Sequence, residues 1–378
     1  MDFFDRYFEL RARIAPFRLK TDYETVKTCA IIRGIADRAS AMKEGALPEK
    51  SYLAKFFGVN GFSDAETILS WAEEYVGQLE KGEYPFKNGF TEVGYGMSDH
   101  TFIVKDGELH IIYNRPQTGY GWWERFSDTL GHASTTDLKN WTFHGPALST
   151  ELSTFGEYQV WSPGIVEKDG LYYMFYTGVN RYGSQAICMA TSPDLFKWEK
   201  CKNNPVITPG NWGDWHEKRW SDCRDSFAFK DDDGTFYVYY FAKQINGGEV
   251  KPVIGISSSK NLIDWKDEGF IFMKCCLHDA ESPYVLKRGG RYYMFFTNCF
   301  RGIDYVTSYN PISGWDIPEK GSDNVFIEGS VCASEIFEFN RKNYMTYIKW
   351  LHNEQVSLMY IREMVWNKDG TFKLGKYI

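Results

Sequence analysis

From about residue 90 onward, apolar residues come in short runs that alternate with polar turns, most of them containing glycine. One phrase built this way recurs five times. It reads DHTFIVKDGELHIIYN from Asp99, SPGIVEKDGLYYMFYT from Ser162, DSFAFKDDDGTFYVYY from Asp225, ESPYVLKRGGRYYMFFT from Glu281 and SEIFEFNRKNYMTYIK from Ser334. Two apolar runs flanking a tight polar turn predict a β-hairpin, the second run here being rich in Tyr and Phe. A second phrase follows each of the first four hairpins: STTDLKNW ending at Trp141, TSPDLFKW at Trp198, SSSKNLIDW at Trp265 and TSYNPISGW at Trp315. Ser or Thr opens a turn there, and Trp begins the next strand. Each repeat of roughly 55–65 residues therefore holds four strands, one blade of a radially repeated sheet. The pattern predicts an all-β, five-bladed β-propeller over residues 89–378.

Residues 1–88 carry a different period. Thr21 and Glu24 form a capping-box pattern ahead of Val26, Ala30, Ile31 and Ile35; Ser63 and Glu66 repeat it ahead of Ile68, Leu69, Ala72, Val76 and Leu79. Apolar spacings of three and four predict amphipathic helices, with Gly82 and Pro85 ending the last. A small α-helical N-terminal region is expected to pack on the propeller, shaping its funnel or an oligomer contact. Its aromatics, such as Phe3, Tyr7, Trp71 and Tyr75, read as packing residues.

Composition narrows the function classes. The net charge of −7 argues against nucleic acid as a partner, because a phosphate binder needs a basic face. No stretch of 18 apolar residues is present, so no membrane-spanning helix is expected. The start MDFFDRYFELRAR lacks a basic segment followed by an apolar run, so no signal peptide is read and a cytoplasmic location is expected. The 8 cysteines show no paired spacing and are expected to be reduced thiols. No spacing of His, Cys and acids matches a zinc site.

The heads of the hairpin phrases carry the chemistry. Aligning the phrases puts Asp99, Asp225, Glu281 and Glu335 at one structural position, with Ser162 there in the second copy. In a propeller the innermost strand of each blade lines the central channel, so these heads are expected to ring one funnel. Carboxylates at short range raise each other's pKa, a conflict usually tolerated where chemistry or a cation needs it. Carboxylates in an aromatic-rich cleft suggest glycosidic bond cleavage, which needs one protonated and one ionised acid. Glu281, beside apolar neighbours in HDAESPYV, is the candidate acid, and Asp99 the ionised partner. Asp225 follows Arg224, whose cation is expected to keep it charged.

At these residues the chain resembles the five-bladed propeller glycosidases: glycoside hydrolase family 43, with its arabinanases, arabinofuranosidases and xylosidases, and the related family 32 of invertases and fructanases. VWSPGIVEKDGLYYMFYTG, from Val160, is similar to the second blade of family 43, while LGHASTTDLKNWTFHGPAL and the Arg224-Asp225 pair resemble family 32. In both families an Asp opens blade one, an Asp lies in blade three and a Glu in blade four; Asp99, Asp225 and Glu281 match those places. The resemblance implies a blade-one Asp acting as base in an inverting reaction or as nucleophile in a retaining one. Family 43 often sets a fifth-blade His near a central cation; none stands around Cys332 and Ala333, so no cofactor is expected. The opening SDHT also departs from the NDPNG-like phrase of family 32.

Trp161, Ser162, Arg224 and Glu335 are further expected to contact substrate, together with Trp123 in the GYGWWERF insertion. His100 and His278 neighbour the proposed acids as supports or contacts, and His132 is read as a strand residue near the site. Trp212, Trp215 and Trp220 read equally as sugar platforms or loop packing. The expected ligand is an oligosaccharide or small glycoside, and the expected activity is glycoside hydrolysis at a terminal furanose or pentose. A retaining β-fructofuranosidase is one alternative. A phosphorylase is a second, its phosphate pocket hinted at by Arg224, Arg219 and Lys218. A sugar-binding propeller without catalysis is a third.

Overall fold

The structure is a computed structural model that describes residues 89–90, 97–116, 127–151, 155–272, 279–299, 301–317, 325–329, 331–351 and 356–378, with isolated positions before residue 89. The helical region read over residues 1–88 thus lies almost wholly outside the described residues, as do Trp122, Trp123 and His278.

Five antiparallel sheets follow one another in chain order. Blade one runs through His100–Lys105, Glu108–Asn114, Thr129–Thr135 and Thr142–Ser149. Blade two comprises Glu157–Lys168, Leu171–Asn180, Gln185–Ser192 and Glu199–Lys200. Blade three is Cys223–Lys230, Phe236–Asn246, Glu249–Ser259 and Lys266–Ile271. Blade four is Ala280–Arg288, Arg291–Asn298, Gly302–Ser308 and Val325–Glu328. Blade five has Val331–Phe339, Lys342–Leu351 and Val356–Trp366, and its outermost place is shared by Gly89–Phe90 and Phe372–Tyr377. Gly89 faces Tyr360 and Phe90 faces Met359, so the chain ahead of blade one is hydrogen-bonded into the last blade.

The cores lie between blades rather than within them. One cluster joins Leu109, Ile111 and Tyr113 of blade one to Tyr344, Ile348 and Met359 of blade five. Comparable clusters fill the other four seams. The repeated Trp residues serve these seams: Trp141, Trp198, Trp265 and Trp315 each pack against one cluster. The turn before each Trp is built from side chains. Thr135 Oγ1 accepts from Leu138 N at 3.0 Å, and Asp137 Oδ1 accepts from Asn140 N at 2.7 Å. Ser192 with Asp194 and Ser259 with Asn261 repeat the arrangement, a side chain supplying the acceptors that the bent backbone lacks. Toward the axis the inner strands come close: a Cβ on Gly164 of blade two would stand 2.6 Å from the carbonyl oxygen of Ser226 in blade three.

Away from the axis, His132 packs with His110 and His144 of its own blade and with Phe196 from blade two, rather than near the site as expected. His110 Nδ1 lies 3.0 Å from His132 Nε2, and His144 Nε2 lies 2.7 Å from Ser134 Oγ. Burial, then the neighbouring His144 and His110, push His132 from 6.5 down to about 3. The folded chain therefore keeps it neutral where an unfolded histidine takes up a proton. Its contribution to stability is whole above pH 6.5 and is lost as the pH falls below that value. At pH 5 the cost is about 2 kcal/mol. His132→Gln is expected to flatten the acid limb of a plot of Tm against pH; an unchanged limb would show that another group controls it.

Candidate active site

Blades two to five share a β-bulge near the start of the inner strand. The register slips between Trp161 and Gly164, Arg224 and Phe227, Glu281 and Tyr284, and Cys332 and Glu335. Two residues there oppose one on the partner strand, which re-aims a side chain. The first bulged residue has positive φ in every case: Ser162 at 46°, Asp225 at 59°, Ser282 at 50° and Ala333 at 48°. Each such non-glycine residue costs on the order of 1 kcal/mol, and strain of this kind persists where the surroundings enforce it. Thr101 pairs with Ile112 as Gly164 pairs with Phe175, and Asp99 stands two residues before Thr101 as Ser162 stands before Gly164. One ring position is therefore filled by Asp99, Ser162, Asp225, Ser282 and Ala333.

This corrects the alignment of the sequence phrases. Glu281 stands one residue ahead of the ring, level with Trp161, Arg224 and Cys332. Glu335 stands two residues after it, level with Gly164, Phe227 and Tyr284. The four acids occupy three levels, because a bulge adds a residue that an alignment on acidic side chains does not register.

At the ring level the channel is lined by Asp99, Ser162, Asp225, Ser282 and Ala333, with Glu335 below. Ser162 Oγ donates to Asp225 Oδ1 at 2.8 Å, and the Ser282 N–H donates to Asp225 Oδ2 at 3.3 Å. The Asp225 N–H is itself fixed by Thr177 Oγ1 at 3.1 Å, and the Ser162 N–H by Asn114 Oδ1 at 2.6 Å. The Ser282 hydroxyl donates to Asp99 Oδ1 at 2.6 Å. Burial raises the Asp99 carboxyl, Ser282 partly offsets it, and the charge of Glu281 adds to the rise. Burial followed by the Asp99 charge lifts Asp225 well above the usual carboxylate range, against the opposing pull of Arg224 and Ser162.

Above the ring, the Arg224 guanidinium organises the rim. Its two terminal nitrogens pair with Asp222 and Glu281, and Nη1 also donates to Gln185 Oε1 at 3.0 Å. The Phe241 ring lies beneath it, 4.2 Å from the guanidinium carbon. Lys243 Nζ supports Asp222 from the other side at 3.0 Å, and with Arg224 it outweighs the burial of Asp222, holding that carboxyl below its ordinary value. Cys299 Sγ donates to Glu281 Oε2 at 3.3 Å. Two expectations change here. Arg224 makes its close pairs with Asp222 and Glu281, whereas its Nε stays 3.7 Å from Asp225. Glu281 therefore lies against a cation and a thiol rather than among apolar neighbours.

The remaining candidates separate by level. Trp161 is half-buried at the rim level, its Nε1 donating to Gln159 Oε1 at 3.2 Å. His100 is buried with both ring nitrogens engaged, Nδ1 on Ser98 O at 3.0 Å and Nε2 on Thr346 Oγ1 at 2.7 Å. Burial pushes it from 6.5 to about 4, so it is a neutral support beneath Asp99. Glu335 Oε2 accepts the Phe102 N–H at 3.1 Å, and burial raises its carboxyl well above the usual range. A central cation of the kind family 43 often carries would find a poor set of donors here: the ring residue of blade five is Ala333, and Glu335 accepts the Phe102 N–H. Trp212 and Trp215 pack beneath their loop, with Nε1 atoms on Asp267 and Gln185, whereas Trp220 is 59% exposed.

Residues 95–301, more than half of the chain, match the family profile described as the glycosyl hydrolases family 32 N-terminal domain. The chain belongs to that family. Relatives of the family 32 domain include a probable arabinan endo-1,5-alpha-L-arabinosidase A of Emericella nidulans. It is 28% identical over 185 residues, which cover 46% of this chain and 53% of that protein. A xylosidase/arabinosidase of Butyrivibrio fibrisolvens is 26% identical over 206 residues, or 52% of this chain and 35% of its own length. The chain thus spans about half, or less, of these curated relatives. A family-43 enzyme of Xanthomonas citri, solved in complex with xylose, shares the fold with a TM-score of 0.59 at 16% identity, over 74% of this chain and 90% of that one.

Four contributors to the family 32 domain's site went unread in the sequence. Ser282 was hidden behind Glu281. Asp222 stands two residues before Arg224 in SDCRDS, and its acid-x-Arg spacing was an available signal. Cys299 and Lys243 come from other strands or turns, and nothing local in the sequence links them to Glu281 or Asp222.

Proposed function

We propose that this chain is a glycoside hydrolase that removes a terminal furanose or pentose residue from an oligosaccharide or small glycoside. Glu281 is the acid that protonates the leaving oxygen. Asp99 is the carboxylate that attacks the anomeric carbon or activates water, and Asp225 is the ring carboxyl, held by Ser162 and Ser282, that stands beside the forming oxocarbenium-like centre. The observation that carries this division of labour is the unequal use of the ring carboxylates. Asp225 has both oxygens taken, by Ser162 and by Ser282, while Ser282 takes only one oxygen of Asp99. A carboxylate with a donor on each oxygen is a weaker nucleophile or base than one that, among the described residues, receives a single side-chain donor. Arg224 engages Glu281 Oε1 and Cys299 engages Oε2, so substrate must displace one of these contacts to reach the carboxyl.

The pentose reading is supported by the arabinosidase and xylosidase relatives and by the propeller shared with a xylose-bound enzyme. The family 32 match and the Arg224-Asp225 pair favour a second reading, a retaining β-fructofuranosidase. The phosphorylase reading has less support: Arg224 is engaged by two carboxylates, and Arg219 pairs with Asp214. A panel of nitrophenyl arabinofuranosides, xylosides and galactosides, with sucrose and inulin, tests these readings. Release of arabinose or xylose is expected; fructose release would move the assignment to the second reading. If the panel binds without any release, the chain is a sugar-binding propeller. NMR of the first-formed anomer then separates inversion from retention, which correspond to carboxyl separations of roughly 6.5–9.5 Å and roughly 5–5.5 Å.

A further inference from the structure

We propose that Ser282 is the positioning residue of this site, the element that sets the Asp99 carboxylate relative to Asp225 and Glu281. The inference rests on the reading of Asp99 as base or nucleophile. Ser282 gives its hydroxyl to Asp99 Oδ1 at 2.6 Å and its backbone N–H to Asp225 Oδ2 at 3.3 Å. Among the described residues it is the ring residue that donates to two others; Ser162 donates to Asp225 alone, and Ala333 has no side-chain donor. The carboxylates of Asp99 and Asp225 repel each other and are joined here through one neutral donor, Ser282. The bulge and the φ of 50° bring both donors of one residue to the channel. Glu281 precedes Ser282 in the chain, so one peptide unit, about 3.8 Å between Cα atoms, joins the proposed acid to the clamp on the proposed base. The span that separates inversion from retention thus runs through a single side chain.

Several charged groups face Asp99 and share control of its titration: Glu281 and Arg224 at the rim, Asp225 in the ring and Glu335 below. A hydrogen bond to the ionised form favours that form, and Ser282 acts in this direction on Asp99. Its removal should therefore raise the pH at which Asp99 ionises.

The test compares Ser282→Gly, Ser282→Ala and Ser282→Thr. Glycine accepts positive φ without strain, so Ser282→Gly loses the hydroxyl while keeping the bulge. In Ser282→Gly and Ser282→Ala the acid limb of kcat/KM against pH is expected to move up by about one pH unit. kcat should fall about tenfold with KM little changed, as expected when a reacting group is misplaced. Ser282→Thr keeps the hydroxyl at a cost in stability, since a β-branched residue is strained at this φ, and should return the limb toward wild type. Independently of turnover, the Asp99 carboxyl can be followed by 13C NMR in aspartate-labelled protein, its resonance assigned by its loss in Asp99→Asn. An upward shift of its midpoint in Ser282→Gly supports the proposal, and an unmoved midpoint overturns it. If Asp99→Asn is inactive while the Ser282 limb stays fixed, only the positioning role fails. If Asp99→Asn retains full activity, the underlying reading of the site fails instead.

Discussion

Asp99→Asn and Glu281→Gln are each expected to lower kcat/KM by about 10³-fold or more on the glycoside that the wild-type chain cleaves best. The two losses should differ in their dependence on the leaving group. Glu281 is read as donating a proton to the departing oxygen, and a nitrophenolate departs without one. Glu281→Gln should therefore lose much less on a nitrophenyl glycoside than on an alkyl glycoside or oligosaccharide. Asp99→Asn should lose about equally on both, because attack at the anomeric centre is needed whatever leaves. Equal penalties for Glu281→Gln on good and poor leaving groups would remove it from the acid role. Neither variant should unfold the protein. Asp99 is a half-buried acid whose carboxyl is raised by burial and by neighbouring charge, so an amide there relieves a conflict. For Asp99→Asn, Tm is expected to hold or rise, the usual exchange of stability for function at such sites; Glu281→Gln takes one carboxylate from Arg224 and should lower Tm without unfolding the protein.

The second large effect concerns Arg224, whose side chain is 13% exposed, with Asp222 on one terminal nitrogen and Glu281 on the other. Removing one partner of a buried ion pair leaves uncompensated charge, at a cost of about 3–5 kcal/mol. Arg224→Met is expected to fall in that range in urea unfolding, with activity lost as well. Arg224→Lys restores the charge but not the planar fork that reaches two carboxylates and lies over Phe241, so only part of the stability should return. The double variant Arg224→Met/Glu281→Gln should recover part of the loss, since one orphaned charge is gone. An Arg224→Met protein within about 1 kcal/mol of wild type would mean that solvent or Lys243 replaces the guanidinium.

The blades were legible because alternation, polar turns and the Ser/Thr–Trp phrase are local signals with direct structural causes. Asp99, Ser162 and Asp225 were legible as one ring because the phrases align there. The slip in blade four had a physical origin: the alignment followed acidic side chains, while the fold counts from the hairpin turn. Counting six residues back from Lys105, Lys168, Arg288 and Phe339, the last residues before the turns, lands on Asp99, Ser162, Ser282 and Ala333; in blade three, where the turn is longer, Asp225 stands five before Lys230. The hold of Arg224 on Glu281 was invisible because it joins two blades. The edge strand Gly89–Phe90 was equally hidden, since two residues cannot show a period.

That short strand bears on the order in which the protein can be completed. Gly89 and Phe90 leave the ribosome before any blade, yet their hydrogen-bonding partners, Tyr360 and Met359, emerge only after the other four blades. Such distant pairing forms late, because loop closure must be paid before the contact rewards it. Blade five also supplies Ala333 and Glu335 to the channel and Thr346 to the histidine beneath Asp99. A nascent chain that has finished four blades therefore holds its acids in an open arc. The channel around them closes only when blade five has followed and packed against blade one, so the step that seals the ring also completes the site.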